Sequence, residues 1–87
     1  MSGNQTKDTV SGEEFIKKAQ DSGLTERQAI AFFNRRVANV PRQETAEVLE
    51  TSASNVDNLE RAAREKVANA YDLVELVRAV DVDPTEL

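Results

Sequence analysis

The feature that most constrains this chain is a run from Thr51 to Asp83 that contains neither glycine nor proline. Ser52, near its start, is a favourable N-cap, because its hydroxyl can accept a hydrogen bond from the free N–H groups of a first helical turn. A set at heptad spacing follows and is broken only by the lysine: Val56, Leu59, Ala63, Lys66, Ala70, Leu73, Val77 and Val80. The pattern predicts one helix of roughly 28 residues, about 42 Å long, or two helices with a kink near Asn69.

Start and stop signals predict three further helices before this run. Two boxes of the Ser/Thr-x-x-Glu/Gln type, at residues 11–14 and 25–28, are typical of helix N-termini, because both ends of such a box cap backbone N–H groups. Pro41 cannot continue a preceding helix but suits the first turn of the next one. The first predicted helix covers residues 12–21 and is stopped by Gly23. The second runs from Thr25 to the break at Asn39-Val40-Pro41, and the third covers residues 42–50.

Apolar side chains recur at helical spacing in the second and third helices, and this predicts their buried faces. The expected core residues are Ala29, Ile30, Phe33, Val37, Ala46 and Leu49, with Val48 close by and Phe32 covering a neighbouring helix. A short helix, a tight turn and a longer helix with a polar front form a helix-turn-helix arrangement. We therefore expect an all-α fold: a tri-helical helix-turn-helix domain with an added N-terminal helix and a long C-terminal helix.

The C-terminal part of the long helix is too apolar to stand alone in water. Its apolar stripe consists of Ala70, Leu73, Val74, Val77 and Val80. The stripe either folds back over the domain's own core or forms the interface of a homodimer, and we favour the dimer. The expected organisation is a disordered tail (1–10), a DNA-binding domain (11–69), a dimerising helical extension (70–83) and a second tail (84–87).

Composition excludes several classes of site. The 87 residues include no cysteine and no histidine, so the chain has no disulfide or thiolate metal site and lacks the commonest general base. There is no glycine-rich phosphate loop, and the serines stand at helix caps without a histidine or cysteine partner. We expect no catalytic residue, no cofactor, no metal and no small-molecule substrate. No apolar run reaches the length of a membrane span or signal-peptide core, which predicts a soluble, cytoplasmic protein with no membrane partner.

The charge distribution bears on the kind of partner. The chain has 16 acidic and 11 basic residues, an unfavourable balance for binding DNA phosphates. However, the segment from Thr25 to Lys66 is neutral, with seven residues of each sign, and the acidic surplus lies largely after Ala70. An acidic, lysine-poor surface also fits a halophilic protein, in which net charge maintains solubility.

The polar face of the predicted long helix offers groups that suit a DNA major groove. We expect Ser54, Asn55 and Asn58 to face base edges, where the amides can pair with adenine, although an asparagine near a helix start often bonds its own backbone instead. Arginines can hold phosphates or guanine. The remaining candidate DNA-binding residues are Arg61, Arg64, Arg42 and Gln43, with Arg35 and Arg36 as either a phosphate clamp or charges that compensate a helix dipole.

Four segments of the chain together resemble the archaeal Tfx family of DNA-binding proteins. They are LTERQ at 24–28, ETAEVL at 44–49, TSASNV at 51–56 and ERAARE at 60–65. More distantly, the chain is similar to LuxR-type and sigma-factor region four helix-turn-helix units. The resemblance spans about half the chain and implies sequence-specific binding to double-stranded DNA and transcription regulation in an archaeon.

Three residues depart from the family pattern. Glu50 stands where the family has glycine, so the turn must be made without glycine's tolerance of positive φ. Ala53 replaces a basic residue and removes a base or phosphate contact, and Thr45 replaces a large aliphatic side chain and thins the core. The alternative is therefore a helix-turn-helix that has lost DNA binding and serves as a protein-interaction module. DNA binding requires the arginines to converge on one face, with Glu44, Glu47, Asp57 and Glu60 turned away or paired.

Overall fold

The computed structural model describes residues 11–86 and the side chains of residues 11–85. All regular structure in that part of the chain is helical, as expected for an all-α fold. The predicted tail over residues 1–10 and the final residue, Leu87, lie outside the described part. The elements are α1 (Gly12–Asp21), α2 (Glu26–Phe32) continued by a π-helical segment (Phe33–Val37), α3 (Arg42–Leu49), α4 (Ala53–Ala79) and a short 3-10 helix (Pro84–Glu86).

Local capping determines where the helices begin. The hydroxyls of Ser11 and Ser52 accept hydrogen bonds from the backbone N–H groups of Glu14 and Asn55, each at 3.1 Å. Thr25 and Gln28 form a complete capping box, in which each side chain accepts from the other residue's N–H at 3.1 Å. These bonds satisfy N–H groups that a helix start leaves free. The three predicted starts are confirmed.

The core is small and lies where α2, α3 and α4 meet. Its centre consists of Ala31, Ala46, Leu49 and Val56, with Ile30 and Leu59 packed against it. Ala29, Thr45 and Ala63 are also buried. Thr45 satisfies its hydroxyl by donating to the Pro41 carbonyl at 3.1 Å, so a polar side chain is accommodated in the core. Small side chains here let the helix backbones approach closely.

The first helix is held through aromatic side chains rather than through this core. The ring of Phe15 stacks on Phe32 with centroids 6.1 Å apart and lies tilted against Phe33 at 5.2 Å. Aromatic pairs at these distances stabilise beyond the area they bury. The prediction that Phe32 covers a neighbouring helix is confirmed.

Val37, predicted in the core, and Val48, predicted close to it, are both exposed. Val37 is exposed because the helix widens into π-type geometry after Phe32, with Ala38 N–H bonding to Phe33 O. The wider turn rotates Val37 off the face that a 3.6-residue period would give it. Val48, expected close to the core, is 64% exposed, since Leu49 and Ala46 occupy the buried face of α3.

The long helix α4 is continuous over 27 residues and does not kink near Asn69. It ends at Ala79 rather than at residue 83, and Asp81 follows with a φ of 66°. Part of the predicted 84–87 tail is also ordered, because Pro84–Glu86 forms a 3-10 helix that packs against α4. Thr85 donates its N–H and hydroxyl to Asp83, and these bonds lower the pKa of the Asp83 carboxyl.

The C-terminal half of α4 is not covered by the domain's own core. Leu73, Leu76 and Val80 are each at least 60% exposed, whereas Val74 and Val77 are half-buried. The alternative in which the stripe folds back over the core is therefore wrong for most of its length. No helix among the described residues has the length and apolar character needed to cross a membrane.

Candidate nucleic-acid interface

The turn between α3 and α4 is tight and is made through Glu50. This residue adopts left-handed backbone angles, φ 55° and ψ 49°, and the next N–H, of Thr51, bonds to Ala46 O at 2.9 Å. A left-handed conformation costs a residue with a Cβ roughly 1–2 kcal/mol. The turn therefore has the backbone geometry that favours glycine, and glutamate adopts it here at an energetic cost.

Arg27 stabilises the same turn from α2. Its Nη2 donates to Leu49 O at 2.9 Å, the last carbonyl of α3, across 22 positions of sequence. A guanidinium at a helix C-terminus satisfies a free carbonyl and interacts favourably with the helix dipole. The sequence pattern did not indicate this role, because Arg27 and Leu49 belong to different helices and are 22 positions apart.

Three of the predicted base-facing or phosphate-facing residues form a row on the outer side of α4. Ser54, Asn58 and Arg61 are all exposed and recur at the spacing of one helix face, opposite the buried Val56 and Ala63. Arg61 Nη1 donates to Asn58 Oδ1 at 3.0 Å. This outer row, defined as Ser54, Asn58 and Arg61, presents a hydroxyl, an amide and a guanidinium to the solvent.

Asn55 does not belong to the outer row. Its side chain is half-buried, and Nδ2 donates to Thr51 Oγ1 at 3.0 Å. The expectation that Asn55 faces a base edge is therefore not supported. The alternative, a bond to its own backbone, is not found either, because the partner is a side chain in the turn. Asn55 stabilises the start of α4.

Arginines and carboxylates alternate along the edge of α4 that faces α3 and the π-helical segment. Arg42 Nη2 lies 2.8 Å from Asp57 Oδ2, and Glu60 Oε2 accepts from Arg36 Nε and lies 3.5 Å from Arg64 Nε. The Glu60 side chain is only 12% exposed. Asp57 and Glu60 are therefore both paired with arginine, whereas Glu65, one turn after Arg61 on the face of the outer row, is exposed.

The remaining predicted contacts lie apart from these ion pairs. Arg35 is half-buried: its Nη1 donates to Val40 O at 2.9 Å, and its Nε is buried without a hydrogen-bond partner among the described residues. Arg35 thus stabilises the loop that precedes α3. Because Arg35 is half-buried whereas Arg36 is exposed, Arg35 is not available as a phosphate clamp. Gln43 and Glu44 are exposed in the first turn of α3, and Glu47 is exposed one turn later.

The arrangement places several arginines beside the outer row. Four arginines, Arg36, Arg42, Arg61 and Arg64, lie along the start of α3 and the first half of α4, with Asp57 and Glu60 as their paired carboxylates. Glu44, Glu47 and Glu65 are exposed on the same two helices, so these elements as a whole carry no positive surplus. In the described part of the chain, no group of three or more acidic side chains is placed to hold a metal ion.

Comparison of the chain with protein-family models, with curated proteins and with solved structures gave no match.

Proposed function

We propose that this protein is a sequence-specific regulator of transcription that binds double-stranded DNA through a helix-turn-helix formed by α3 and the first half of α4. The observation that carries the proposal is the outer row, Ser54, Asn58 and Arg61, flanked by arginines that pair with Asp57 and Glu60. The resemblance to the archaeal Tfx family supports the same function and a cytoplasmic location.

In this proposal the first half of α4 enters the major groove with the outer row against the bases. The small Ser54 permits close approach, Asn58 can pair with the N6 and N7 positions of adenine, and Arg61 can take a guanine or a phosphate. Asn58 and Arg61 would exchange their mutual hydrogen bond for bonds to DNA.

Backbone contacts would come from the edges of the same surface. Arg42 and Gln43, at the start of α3, and Arg64 and Arg36, beside α4, are placed to reach phosphates. A phosphate would then replace Asp57 as the partner of Arg42, because an exposed ion pair of this kind contributes at most about 1 kcal/mol and exchanges readily. Arg36 and Arg64 would keep the largely buried Glu60 as a partner and reach phosphates with their other guanidinium N–H groups. Such contacts fix the register of the protein on the duplex without reading sequence.

The exposed stripe of α4 supports a homodimer as the binding form. Leu73 and Val80 expose most of their side chains, and burying them between two copies adds apolar area that a small core lacks. A two-fold dimer would bind a near-palindromic operator, with half-sites related by the same symmetry.

The test is selection from a pool of random duplex DNA at two salt concentrations. We expect a short near-palindromic motif to be enriched, with affinity falling as salt rises because counterions are released from the neutralised phosphates. Absence of enrichment at either salt would overturn the proposal.

A matched pair of variants tests the placement of the outer row. Asn58→Ala should relax base preference at one position of each half-site, whereas Asn69→Ala, an exposed asparagine farther along the same helix, should leave the selected motif unchanged. An identical motif from both variants would remove Asn58 from base recognition.

The alternative function is a protein-interaction module derived from a helix-turn-helix. The observation that favours it is the extent of internal pairing, since Arg36, Arg42 and Arg64 all face carboxylates of the same chain, and Ala53 offers no charge. On this alternative the random pool yields no motif, and the exposed stripe of α4 binds a different protein.

A further inference from the structure

An apolar groove lies at the point where α1 and α2 meet the middle of α4. Its volume is about 330 Å³, and its apolar lining includes Phe15, Leu24 and Phe32 from the first two helices and Val67 and Ala70 from α4. Among the described residues, the charged ones that line it are Lys18 and Lys66. The groove is therefore an apolar surface with a basic border.

The groove continues directly into the exposed stripe of α4. Ala70 lines the groove and also begins the stripe, and Leu73 and Val80 follow it with 60% and 66% of their surface exposed. At the far end of the stripe the chain becomes acidic, with Asp81 and Asp83. One copy of the protein thus carries a basic apolar groove and, along the same helix, an apolar ridge with an acidic end.

We propose that α4 of a second copy occupies this groove, with the two α4 helices antiparallel, so that the C-terminal half of each helix lies in the groove of the other. The inference rests on the homodimer proposed above, but it does not depend on DNA binding. It assigns the partner, its orientation and the groove that receives it.

Steric and electrostatic reasons favour the antiparallel over the parallel arrangement. Because α1 and α2 border the same side of α4 as Ala70, a parallel pair would bring both copies of these helices to one end of one interface. A parallel pair would also place the acidic ends side by side, where like charges repel. The antiparallel pair instead brings each acidic end across the lysines of its partner.

Lys66 provides a third reason, since it is the position at which the heptad pattern is broken. Its ammonium donates to Gly23 O and to Gln28 Oε1, both at 2.9 Å, and has a third proton to donate. In a parallel pair the Lys66 side chains of the two copies would face each other, and their like charges would repel. In an antiparallel pair centred near Leu73, residues whose numbers sum to about 147 face each other, which brings Lys66 level with the acidic turn that follows Ala79, the last residue of the partner's helix.

Disulfide trapping tests the orientation, because the natural chain has no cysteine. The variants Val67→Cys and Val80→Cys change two exposed positions, one in the groove and one at the end of the stripe. When the two are mixed under mild oxidation without DNA, and one carries a longer tag, we expect the mixed disulfide to dominate. Leu73→Cys alone should link to itself, since it lies at the centre of the pairing.

The parallel arrangement gives the opposite pattern. In the antiparallel pair two copies of residue 80 lie about 20 Å apart along the helix axis, beyond the reach of a disulfide, so Val80→Cys alone should remain unlinked. Dominant self-linking of Val80→Cys would overturn the antiparallel orientation. A monomeric mass at high concentration, with no link from any variant and unchanged helix content by circular dichroism, would overturn the dimer itself.

These outcomes separate this inference from the proposed function. A mixed disulfide combined with no DNA motif would support the antiparallel dimer and reject DNA binding. A DNA motif from a monomeric protein would do the reverse. The trapping experiment contains no DNA, so a failure to bind DNA cannot affect it.

Discussion

The two halves of α4 have different surroundings although they belong to one uninterrupted helix. In the first half, residues 53–66, Val56 and Ala63 are fully buried, and Asp57 and Glu60 pair with arginines from other elements or the next turn. In the second half, residues 67–79, no residue is fully buried, and Leu73 and Leu76 expose about 60% of their surface. The first half has its apolar partners in the same chain, whereas the second half does not.

The difference shows that apolar character alone does not decide which part of a helix is buried. The first half of α4 contains mostly small apolar side chains, and they are buried because α2 and α3 cross it closely. The second half is more hydrophobic but extends beyond the other helices. Its exposed apolar side chains favour a partner, because contiguous apolar surface is unfavourable in water.

The largest effect should come from matched truncations in the two halves. Val56→Ala removes two methyl groups from the packed core, so we expect the free energy of unfolding to fall by about 2 kcal/mol. Val80→Ala changes the same side chain at a position 66% exposed, and at low protein concentration its cost should stay within about 0.5 kcal/mol. Urea denaturation of both variants at the same dilution provides the measurement.

Protein concentration sharpens this first comparison. Raising it should increase the stability of the wild-type protein by mass action, and it should do so less for Val80→Ala if the stripe is a dimer interface. Equal losses for the two variants at every concentration would mean that the halves of α4 are not energetically distinct.

The second prediction compares two exposed arginines on the same helix. Arg61→Ala should weaken binding to the selected operator about tenfold and reduce the salt dependence by about one phosphate contact. Arg78→Ala, whose side chain is 61% exposed and pairs with Glu75, removes the same charge from the second half and should change affinity little. Fluorescence anisotropy at several salt concentrations measures both, and equal losses would show that only the net charge matters.

Much of the fold could be predicted because the signals that start its helices are local. Ser11, Thr25 and Ser52 each cap an N–H three residues away, so the bond depends on nearby sequence alone. The π-helical segment could not be predicted, because a change in helical period leaves no distinct residue pattern, and Val37 was misplaced for that reason. The bond from the buried Thr45 hydroxyl to Pro41 O was likewise not predicted.

The candidate interface was predictable only in part. The spacing of Ser54, Asn58 and Arg61 on one helix face follows from the helix itself, and the structure keeps the three together. By contrast, the pairing of Arg42 with Asp57 joins residues 15 positions apart, and that of Lys66 with the Gly23 carbonyl joins residues 43 apart. Such contacts depend on how helices cross, and the sequence pattern of a single helix does not contain that information.

The third prediction concerns the turn that precedes the first half of α4. Glu50→Gly should raise the free energy of unfolding by about 1 kcal/mol, because glycine adopts positive φ without the Cβ clash that glutamate suffers. Glu47→Gly, an exposed position within α3, should lower it by about 1 kcal/mol. The midpoints of urea denaturation compare the two, and a loss of stability in Glu50→Gly would show that its carboxylate stabilises the turn by more than its backbone costs.

The smallest effect should come from releasing an arginine on the polar edge of the first half. Asp57→Asn keeps the shape of the side chain but removes the negative charge that pairs with Arg42. Arg42 can then bind a phosphate, and the electrostatic potential near it becomes less negative. An exposed pair contributes at most about 1 kcal/mol, so affinity for the operator should rise about twofold to threefold. Glu75→Gln removes an equivalent exposed charge beside Arg78 in the second half and should raise affinity less, because that charge lies outside the proposed interface. Anisotropy titrations at one low salt concentration distinguish them. If Asp57→Asn binds no more tightly than Glu75→Gln, Arg42 does not contact DNA, and the proposed interface contracts to the outer row of α4.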